Sequence, residues 1–419
     1  MAYLPRVLDS VLRERLRSSG AVLLEGPKAC GKTFTAEQVA ASSVYLDVDE
    51  QALAAVQVDP SLVLSGAAPQ LVDEWQLDAT RVWNHVRSEV NRRRAPGQFV
   101  LTGSSVPDDD VRRHTGAGRF ARLRMRPMSL FESGASTGQM SLSALLRGER
   151  PAAGLSTLTV ADVAELIVRG GWPMNLDLSV AAAARANTDY LRNIAEVDVG
   201  RVEQTRRDPA TAHRVLRALA RNTAMEQKLA RVAAEVSGDG AEGALARSTL
   251  YDYLPALQRL MVVEEQPAWS THLRSRATLR TAARTHFVDP SLAAAALGAG
   301  PERLLSDLNT LGLLFESLVV RDCRVYGDPL DADVHHYRDS DDREVDVVVA
   351  TRDGSWAAFE VKLGGGQVDQ AAANLLDFAR KVDTDRVGEP AALGVITSTG
   401  FGYTRDDGVV VVPIGHLGP

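Results

Sequence analysis

Cysteine is rare in this sequence, and long apolar runs are absent from it. Only Cys30 and Cys323 occur among 419 residues, and their separation argues against a disulfide framework and fits a reducing compartment. No apolar run reaches the roughly 18 residues that a membrane-spanning helix needs. The N-terminal segment Met1–Ser10 is amphipathic and unlike a secretory leader. We therefore expect a cytoplasmic protein that does not insert into a membrane.

Lysine is also scarce, so arginine carries almost all of the positive charge. The only lysines are Lys28, Lys32, Lys228, Lys362 and Lys381. Two of them, Lys32 and Lys362, fall within motifs whose chemistry favours a compact ammonium over a planar guanidinium. The net charge of -7 does not indicate nucleic-acid binding, although a charge averaged over several domains does not exclude a local basic groove.

A phosphate-binding loop is predicted near the N-terminus. Val22–Glu25 is a short apolar strand pattern, the glycine-containing segment Gly26–Thr33 follows at once, and Phe34–Ala41 is helical in pattern. In such a loop, backbone N–H groups surround the phosphates, the lysine reaches the β and γ phosphates, and the hydroxyl ligates Mg²⁺. The alternative is a glycine-rich turn before a helix. We predict that ATP contacts Gly26, Pro27, Lys28, Ala29, Cys30, Gly31, Lys32, Thr33 and Phe34, with Thr33 also a magnesium ligand.

Further strand patterns occur at residues 44–48, 70–74, 98–102 and 121–125, which is the spacing of a parallel nucleotide-binding sheet. The third strand of the sheet ends in Asp73 and Glu74, which would emerge at the carboxyl edge where such sheets bind ligands. We predict that Asp73 holds Mg²⁺ and that Glu74 polarises the attacking water. The alternative is a solvated strand end.

Two further groups are candidates for the nucleotide site. The fourth strand ends in a run of hydroxyl residues, and Ser104 would lie beside the γ-phosphate. Arg119 lies in an arginine-rich stretch before the fifth strand, and it could contact phosphate in the same or a neighbouring subunit. A solvated or acid-paired basic face is the alternative for that stretch.

The combination of motifs resembles a bacterial and archaeal group of AAA-type ATPases that is placed near the signal-transducing ATPases. The resemblance covers nearly the whole chain and implies an AAA-like fold, ATP hydrolysis and a C-terminal region of unknown function. The motifs that carry it are Gly26–Thr33, Leu71–Gln76, Leu101–Ser105, Gly118–Arg119, Arg126–Glu132 and Gly170–Pro173.

The middle of the chain has the pattern of a winged helix. Helix-like stretches at residues 211–221, 227–236 and 247–260 precede a strand-like stretch at residues 261–265. If this module reads DNA, its third helix and its wing would supply the contacts. These would come from Arg247, Ser248, Thr249 and Tyr251 at a groove, and from Arg274, Arg276 and Arg280 at phosphates. The alternative is a lid or relay that packs on the nucleotide domain.

The C-terminal region predicts two strands joined by a turn. Residues 344–349 and 356–362 are the strands, and the helix-like stretch at residues 311–320 before them carries one acid, Glu316. Alternation puts Glu360 and Lys362 on the same face, and antiparallel pairing brings Asp346 alongside.

This set matches the PD-(D/E)XK nuclease pattern, with Val345 where the name has proline, and Glu316 matches the helix acid of many members. The resemblance implies a restriction-endonuclease-like α/β fold with a catalytic role for Glu316. Asp346 and Glu360 would bind Mg²⁺, and Lys362 would orient or deprotonate the attacking water. The alternative is an ordinary cross-strand ion cluster.

Length and composition favour two or three domains, because 419 residues with 45% hydrophobic content exceed one ordinary domain. We predict an α/β chain of three modules. They are an AAA-like P-loop domain with a parallel sheet at residues 1–185, a winged-helix domain at residues 186–290 and a nuclease-like domain at residues 291–419.

Three functions are compatible with these modules. The leading hypothesis is an ATP- and Mg²⁺-dependent enzyme that interacts with DNA, in which nucleotide state controls the C-terminal site. The rival is a nucleotide-dependent regulatory switch whose nuclease-like domain only binds DNA or a protein partner. A P-loop kinase is disfavoured because the acid pair after the third strand suits attack by water. A homo-oligomer is left open.

Overall fold

The computed structural model describes residues 3–104, 116–202, 207–226, 232–233, 235–236, 243–270, 282–339 and 343–419. The chain forms two compact units. The first comprises Met1–Pro127 with Arg259–Met261, and the second comprises Met128–Gln258 and Val262–Pro419. Within the described ranges, no helix has the length and apolar character needed to span a membrane.

The first unit contains a five-stranded parallel sheet in the order β2-β3-β4-β1-β5. Its central strands are buried almost throughout, as expected for a parallel sheet covered on both faces. Asp73 pairs with Thr102, and Leu24 also pairs with Thr102, so the carboxyl ends of β3, β4 and β1 lie side by side. The strands are β1 (Ala21–Glu25), β2 (Ser42–Tyr45), β3 (Gln70–Asp73), β4 (Phe99–Gly103) and β5 (Phe120–Arg124).

Four α-helices accompany this sheet in the described part of the first unit. They are α1 (Leu8–Ser18), α2 (Lys32–Glu37), α3 (Glu50–Val58) and α4 (Ala79–Arg93), and short 3-10 helices lie at Pro60–Leu62 and Trp75–Asp78. The indoles of Trp75 and Trp83 are buried in the core with Phe99, and their ring centroids lie 5.2 Å apart. Burial of large aromatic side chains of this kind contributes strongly to the stability of a sheet domain.

The parallel sheet predicted from the sequence is present, and its second strand begins and ends earlier than predicted. The apolar pattern placed that strand at residues 44–48, whereas β2 ends at Tyr45. The Asp49 carboxylate accepts the N–H of Ala52 at 2.9 Å and begins α3. The chain therefore leaves the sheet to form a capped helix, which a capping carboxylate favours over continued strand.

The second unit is built on a mixed seven-stranded sheet in the order β10-β11-β12-β13-β15-β14-β7. Two smaller strand pairs accompany it: β8–β9 is antiparallel and β6–β16 is parallel. The strands are β6 (Met140–Ser141), β7 (Gly154–Ser156), β8 (Val263–Gln266), β9 (Arg284–Phe287), β10 (Asp333–Arg338), β11 (Glu344–Ala350), β12 (Trp356–Lys362), β13 (Ala392–Thr397), β14 (Gly400–Thr404), β15 (Val410–Pro413) and β16 (Leu417–Gly418).

Helices surround this sheet, and the longest of them is Leu308–Gly327, which is buried along most of its length. Another helix, Val368–Lys381, packs on β12 and β13, with its Phe378 ring against Trp356. The other helical segments are Leu142–Leu146, Val160–Arg169, Val180–Asn193, Ile194–Asp198, Val199–Arg201, Pro209–Arg221, Gly243–Arg259, Pro290–Leu297, Pro301–Ser306 and Thr384–Val387. Single 3-10 turns lie at Pro173–Asn175, Asp328–Leu330, Gly365–Gln367 and Ile414–His416.

Residues 128–185 lie in the second unit, whereas the sequence assigned them to the ATPase-like domain. Strand pairing is the physical reason. β14 pairs with the edge strand β7, and the last strand β16 pairs with β6, so residues 140–156 complete the C-terminal strands. Residues 186–258 and 262–290 belong to the same compact unit as the C-terminal region. The three-module division with its boundaries at residues 185 and 290 thus differs from this structural division.

The winged helix stays a prediction. Its first and third predicted helices correspond to Pro209–Arg221 and Gly243–Arg259, and the strand-like stretch corresponds to β8. Most of the second predicted helix lies outside the described residues. Arg274, Arg276 and Arg280 of the predicted wing, and the side chain of Arg247, also lie outside them. Of the groove residues, Ser248 is exposed and Thr249 is half-buried, and the Tyr251 side chain is 62% exposed.

A buried ion network joins two conspicuous motifs within the second unit. The Arg321 guanidinium contacts carboxylate oxygens of Asp289 at 2.7 Å and Asp322 at 2.6 Å. Asp322 accepts the N–H of Leu130 at 3.1 Å, and Asp289 accepts the N–H of Gly171 at 3.0 Å. The motifs around residues 128–132 and 170–173 are therefore tied to one buried arginine, which accounts for their polar backbone groups in this interior.

Candidate functional site

The loop between β1 and α2 has the backbone shape that the sequence predicts for phosphate binding. Ala29 and Gly31 adopt left-handed conformations, with φ of 62° and 103°. A Cβ atom at Gly26 would lie 2.3 Å from the carbonyl oxygen of Met125, so only glycine fits there. The Cys30 side chain is fully buried beneath the loop. The loop is thus held by close packing directly before α2, which is where the backbone N–H groups of a phosphate-binding loop contact an anion.

Lys32 and Thr33 occupy the first turn of α2. The Lys32 Nζ donates to the carbonyl oxygens of Gly26 at 2.9 Å and Pro27 at 2.8 Å, so its charge lies against the loop. The Thr33 hydroxyl donates to Asp73 at 3.0 Å to Oδ1 and 3.2 Å to Oδ2. The hydroxyl and the carboxylate that the sequence assigned to one magnesium ion are therefore in direct contact.

Asp73 is surrounded by neutral hydroxyl groups. The Thr102 hydroxyl on β4 donates to Oδ1, and Thr33 donates from α2. Burial raises the pKa of Asp73, and the hydrogen bonds from Thr102 and Thr33 partly offset that effect. A carboxylate and a hydroxyl are hard oxygen ligands of the type that Mg²⁺ prefers. These residues fit the ion, because neutral hydroxyls contact this buried carboxylate directly and the charge of Lys32 lowers its pKa less than they do.

Glu74 follows Asp73 in a strained backbone conformation, with φ of 51°. Its carboxylate accepts a hydrogen bond from the Ser104 hydroxyl at 3.2 Å and another from the Gln76 amide. Burial raises the pKa of Glu74, and the nearby charge of Lys32 acts in the opposite direction. The predicted base and the predicted γ-phosphate residue are thus neighbours.

Sequence reasoning missed a buried clamp on the loop. The Arg6 guanidinium donates to the carbonyl oxygens of Cys30 at 3.0 Å and Arg126 at 2.8 Å. The Asp9 carboxylate accepts the N–H of Arg6 at 3.0 Å and the hydroxyl of Tyr3 at 2.6 Å. In the sequence, Arg6 and Asp9 stand out only as part of the amphipathic segment Met1–Ser10. Their chemistry gave a weak signal, since charged residues rarely face a core without partners.

Arg119 lies at the wrong end of the sheet to contact a phosphate bound in the same chain. β5 runs parallel to β1 and pairs Phe120 with Ala21, so Arg119 precedes the amino end while the loop follows the carboxyl end. Its guanidinium donates to Asn91 at 3.1 Å and to the carbonyl of Ala117 at 2.8 Å. A contact from a neighbouring subunit stays a prediction. Ser105 lies outside the described residues, and the Phe34 side chain is exposed on α2.

The C-terminal residues Asp346, Glu360 and Lys362 meet as their alternation predicted. β11 and β12 are antiparallel, with Val347 paired to Phe359. The Lys362 Nζ lies 2.6 Å from Oε2 of Glu360 and 3.6 Å from Oδ2 of Asp346. That oxygen of Asp346 also accepts the N–H of Val361 at 2.9 Å. The lysine therefore bridges the two predicted metal ligands.

Arg284 and Glu344 also belong to this cluster, and the sequence gave neither of them a role in the site. The Arg284 guanidinium extends from β9 and forms ion pairs with Glu316 and with Glu344. One of its nitrogens lies 3.6 Å from Oδ1 of Asp346. We call these six side chains the carboxylate cluster: Arg284, Glu316, Glu344, Asp346, Glu360 and Lys362. A cleft of about 350 Å³ borders the first four of them.

Burial and charge act together on the protonation of this cluster. Burial raises the pKa of Glu316 well above its usual range, and Asp346 adds to that effect. Burial and then Asp346 raise the pKa of Glu360 to about 7. Burial opposes the charge on Lys362 and on Arg284, but the neighbouring carboxylates outweigh it and raise the pKa of both. Protons and two basic side chains thus offset the acidic charge.

This cluster does not fit a magnesium ion as well as the loop does. Both oxygens of Asp346 face nitrogen atoms, and Glu360 is held by Lys362. Across the described ranges, no set of three His, Cys, Asp or Glu side chains is arranged to hold a metal ion. The predicted metal ligands of the C-terminal region are therefore brought together, but with cations between them.

Comparison with known proteins agrees with the N-terminal assignment. Residues 18–133 match the AAA domain family. Residues 160–303 and 311–417 match two domains of unknown function, DUF8612 and DUF4143. Over 361 residues the chain is 25% identical to the uncharacterized proteins Rv2008c of Mycobacterium tuberculosis and Mb2031c of Mycobacterium bovis, covering 84% of this chain and 72% of each relative. The N-terminal region is thus similar to AAA-type domains, and this match suggests nucleotide binding and ATPase-like function.

Proposed function

We propose that the first unit binds ATP with Mg²⁺ and hydrolyses it. The observation that carries this proposal is the direct contact between Thr33 at the start of α2 and Asp73 at the end of β3. These residues come from separate elements, and P-loop hydrolases use this pairing of hydroxyl and carboxylate for magnesium. The AAA match over residues 18–133 supports the same reaction class.

Each residue of the site has a distinct role in this proposal. Lys32 exchanges its contacts with the Gly26 and Pro27 carbonyls for oxygens of the β and γ phosphates. Thr33 and Asp73 would hold the magnesium ion, which neutralises charge on those phosphates when it is bound. The Glu74 carboxylate, hydrogen-bonded by Ser104, orients the attacking water and accepts its proton.

The test compares ATP binding with ATP hydrolysis in the same variants. Glu74→Gln keeps the shape of the side chain but removes the base, so we expect ATP binding to persist while hydrolysis falls about 10²- to 10⁴-fold. Lys32→Ala removes a phosphate contact, so we expect both binding and hydrolysis to fall. Binding is measured with a fluorescent ATP analogue, and hydrolysis is measured by phosphate release with Mg²⁺ or with EDTA.

Two matched controls accompany these variants. Glu14→Gln makes the same change at an exposed position of α1, and Lys381→Ala removes an exposed lysine at the end of a helix in the second unit. Both controls should hydrolyse ATP like the unaltered protein. Equal hydrolysis by Glu74→Gln and Glu14→Gln, or absence of ATP binding by the unaltered protein, contradicts the proposal.

For the whole chain, we propose a nucleotide-dependent switch that interacts with DNA or a protein partner. The ion pairs of Arg284 and Lys362 within the carboxylate cluster favour this over cleavage of nucleic acid. Labelled duplex DNA is incubated with the protein, Mg²⁺ and ATP, and both anisotropy and product length are measured. The switch is supported if DNA binding changes with ATP and with the Glu74→Gln substitution while the DNA stays uncleaved. Cleavage that Lys362→Ala removes supports the nuclease instead.

A further inference from the structure

Arg284 lies among three acidic side chains, and two of them, Glu316 and Asp346, belong to the sequence pattern that resembles a metal-dependent nuclease site. The residue is 1% exposed, and its guanidinium extends from β9 toward Glu316, Glu344 and Asp346. A buried guanidinium requires carboxylate partners, because its charge cannot be removed by deprotonation in a protein. The acids therefore stabilise the buried charge of Arg284, and Arg284 in turn stabilises the acids.

Each predicted metal ligand of the cluster already has at least one oxygen atom in contact with a cationic side chain. Oδ1 of Asp346 faces Arg284 at 3.6 Å, while Oδ2 accepts the Val361 N–H at 2.9 Å and faces Lys362. The carboxylate of Glu316 is held by the same arginine, and that of Glu360 by Lys362. Adding a divalent cation would place like charges next to each other in a buried region, which is unfavourable.

We propose that Arg284 is the built-in cation of the carboxylate cluster, and that the cluster joins the β8–β9 ribbon to the C-terminal sheet instead of binding Mg²⁺. This inference does not depend on ATP hydrolysis by the first unit. Arg284 acts here as a structural residue that excludes a metal ion from a nuclease-like arrangement of acids.

Neighbouring hydrogen bonds hold the same joint. The Gln266 amide on β8 donates to the backbone carbonyls of Asp346 and His335, both at 2.9 Å. On β9, His286 is fully buried, with Nδ1 2.9 Å from the Ser317 hydroxyl and Nε2 3.0 Å from the Gln266 side-chain oxygen. The ribbon is thus attached to β10, β11 and the helix Leu308–Gly327 by polar groups on both sides of Arg284. Removing the arginine would leave acids buried without their partner.

The first experiment measures divalent-cation binding in the full chain. All proteins carry Asp73→Asn and lack nucleotide, so the loop site contributes little to the signal. Mn²⁺ is the probe, titrated by calorimetry and by electron paramagnetic resonance. With Arg284 present we expect no stoichiometric Mn²⁺ binding that depends on Asp346. Arg284→Met should gain such binding, whereas Arg338→Met should not, because Arg338 borders the same cleft but pairs with Glu226 at 3.3 Å.

The second experiment keeps the test decisive if Arg284→Met does not fold. The melting temperature of Asp346→Asn is measured in EDTA with Arg284 intact. In an arginine-held joint, this change removes a partner of the buried Arg284 and of the half-buried Lys362, so the melting temperature should fall by several degrees. In an empty metal site, it would relieve repulsion between acids, so the melting temperature would rise. A rise, or Asp346-dependent Mn²⁺ binding with Arg284 present, overturns the proposal.

Discussion

Asp73 and Asp346 are equally buried carboxylates in the two units of this chain, with 6% and 9% exposure. Their surroundings are opposite. Asp73 accepts hydrogen bonds from the neutral hydroxyls of Thr33 and Thr102. Asp346 faces the cationic groups of Arg284 and Lys362. Burial alone therefore does not mark a metal site, and what distinguishes the two positions is whether the protein has already supplied the counter-charge.

Two buried aspartates that the sequence predicts as metal ligands therefore differ in how much they would gain from a metal ion. Neutral donors orient a carboxylate but leave its negative charge uncompensated, so an incoming divalent cation gains strongly from binding there. An arginine and a lysine compensate the charge within the fold, and then a metal ion has little to gain.

The largest effect is expected when Asp73→Asn and Asp346→Asn are made in separate variants and their ATP hydrolysis and melting temperatures are compared. Asp73→Asn should lower ATP hydrolysis at least about 100-fold, because it weakens the magnesium site. It should not lower the melting temperature in EDTA, because burial disfavours the charge of Asp73. Asp346→Asn should lower the melting temperature and leave the rate of ATP hydrolysis unchanged. Equal effects of the two changes on both measurements would remove the distinction between the sites.

A second large effect is expected from Arg284→Gln. This change leaves Glu316, Glu344 and Asp346 without their shared cation, and loss of one partner of a buried ion pair costs about 3–5 kcal/mol. The free energy of unfolding is measured by urea denaturation at pH 7.5. Arg343→Gln is the control, because it removes a partly exposed arginine that pairs with Asp377 at 2.8 Å. A loss no larger than that of the control would mean that the cluster tolerates an unpaired state.

An intermediate effect is expected at the loop clamp. Arg6→Gln removes the charge-assisted hydrogen bonds to the Cys30 and Arg126 carbonyls, so the loop should bind ATP about tenfold more weakly, or about 1.4 kcal/mol. The dissociation constant of a fluorescent ATP analogue measures this, with Arg13→Gln on the exposed face of α1 as the control. Unchanged affinity in Arg6→Gln would show that the close packing at Gly26 is sufficient to shape the loop.

The smallest effect concerns pH. The pKa of Glu360 is raised from its ordinary value of 4.5 to about 7, so between these values the folded protein binds more protons than the unfolded chain. The stabilising contribution is therefore complete below pH 4.5 and is lost as the pH rises through 7. Melting temperatures from pH 5 to 8 should fall less steeply in Glu360→Gln. An identical pH profile for the two proteins would contradict this assignment.

The contacts within the candidate nucleotide site were largely predictable, because its residues lie in one short motif and at the ends of parallel strands of one sheet. Thr33 and Asp73 meet since β1 and β3 lie on either side of β4 in the same sheet and end at the same edge. The same sheet geometry shows why Arg119 does not reach a phosphate bound in its own chain. A residue that precedes a parallel strand lies at the opposite edge, so its position before β5 was itself a sign of distance from the phosphates.

The C-terminal site was only half predictable. Strand alternation correctly joined Asp346, Glu360 and Lys362, because their spacing is local. The pairing with Arg284 depends on how the β8–β9 ribbon packs, which no local pattern encodes. One signal was available: Glu344 shares a strand face with Asp346, and so many acids in one buried region require a cation. The sequence offered a metal ion as that cation, and the fold supplies an arginine.

The pairing of β6 and β7 with the C-terminal strands has a consequence for dissecting this protein into fragments. A fragment that begins at residue 291 would lack both strands and expose the free backbone edges of β14 and β16. Such open edges pair readily between molecules, so this fragment should aggregate. A fragment that begins at Met128 keeps both strands and should remain monodisperse in light scattering. Cutting the gene where the sequence pattern changes would therefore separate strands that fold together.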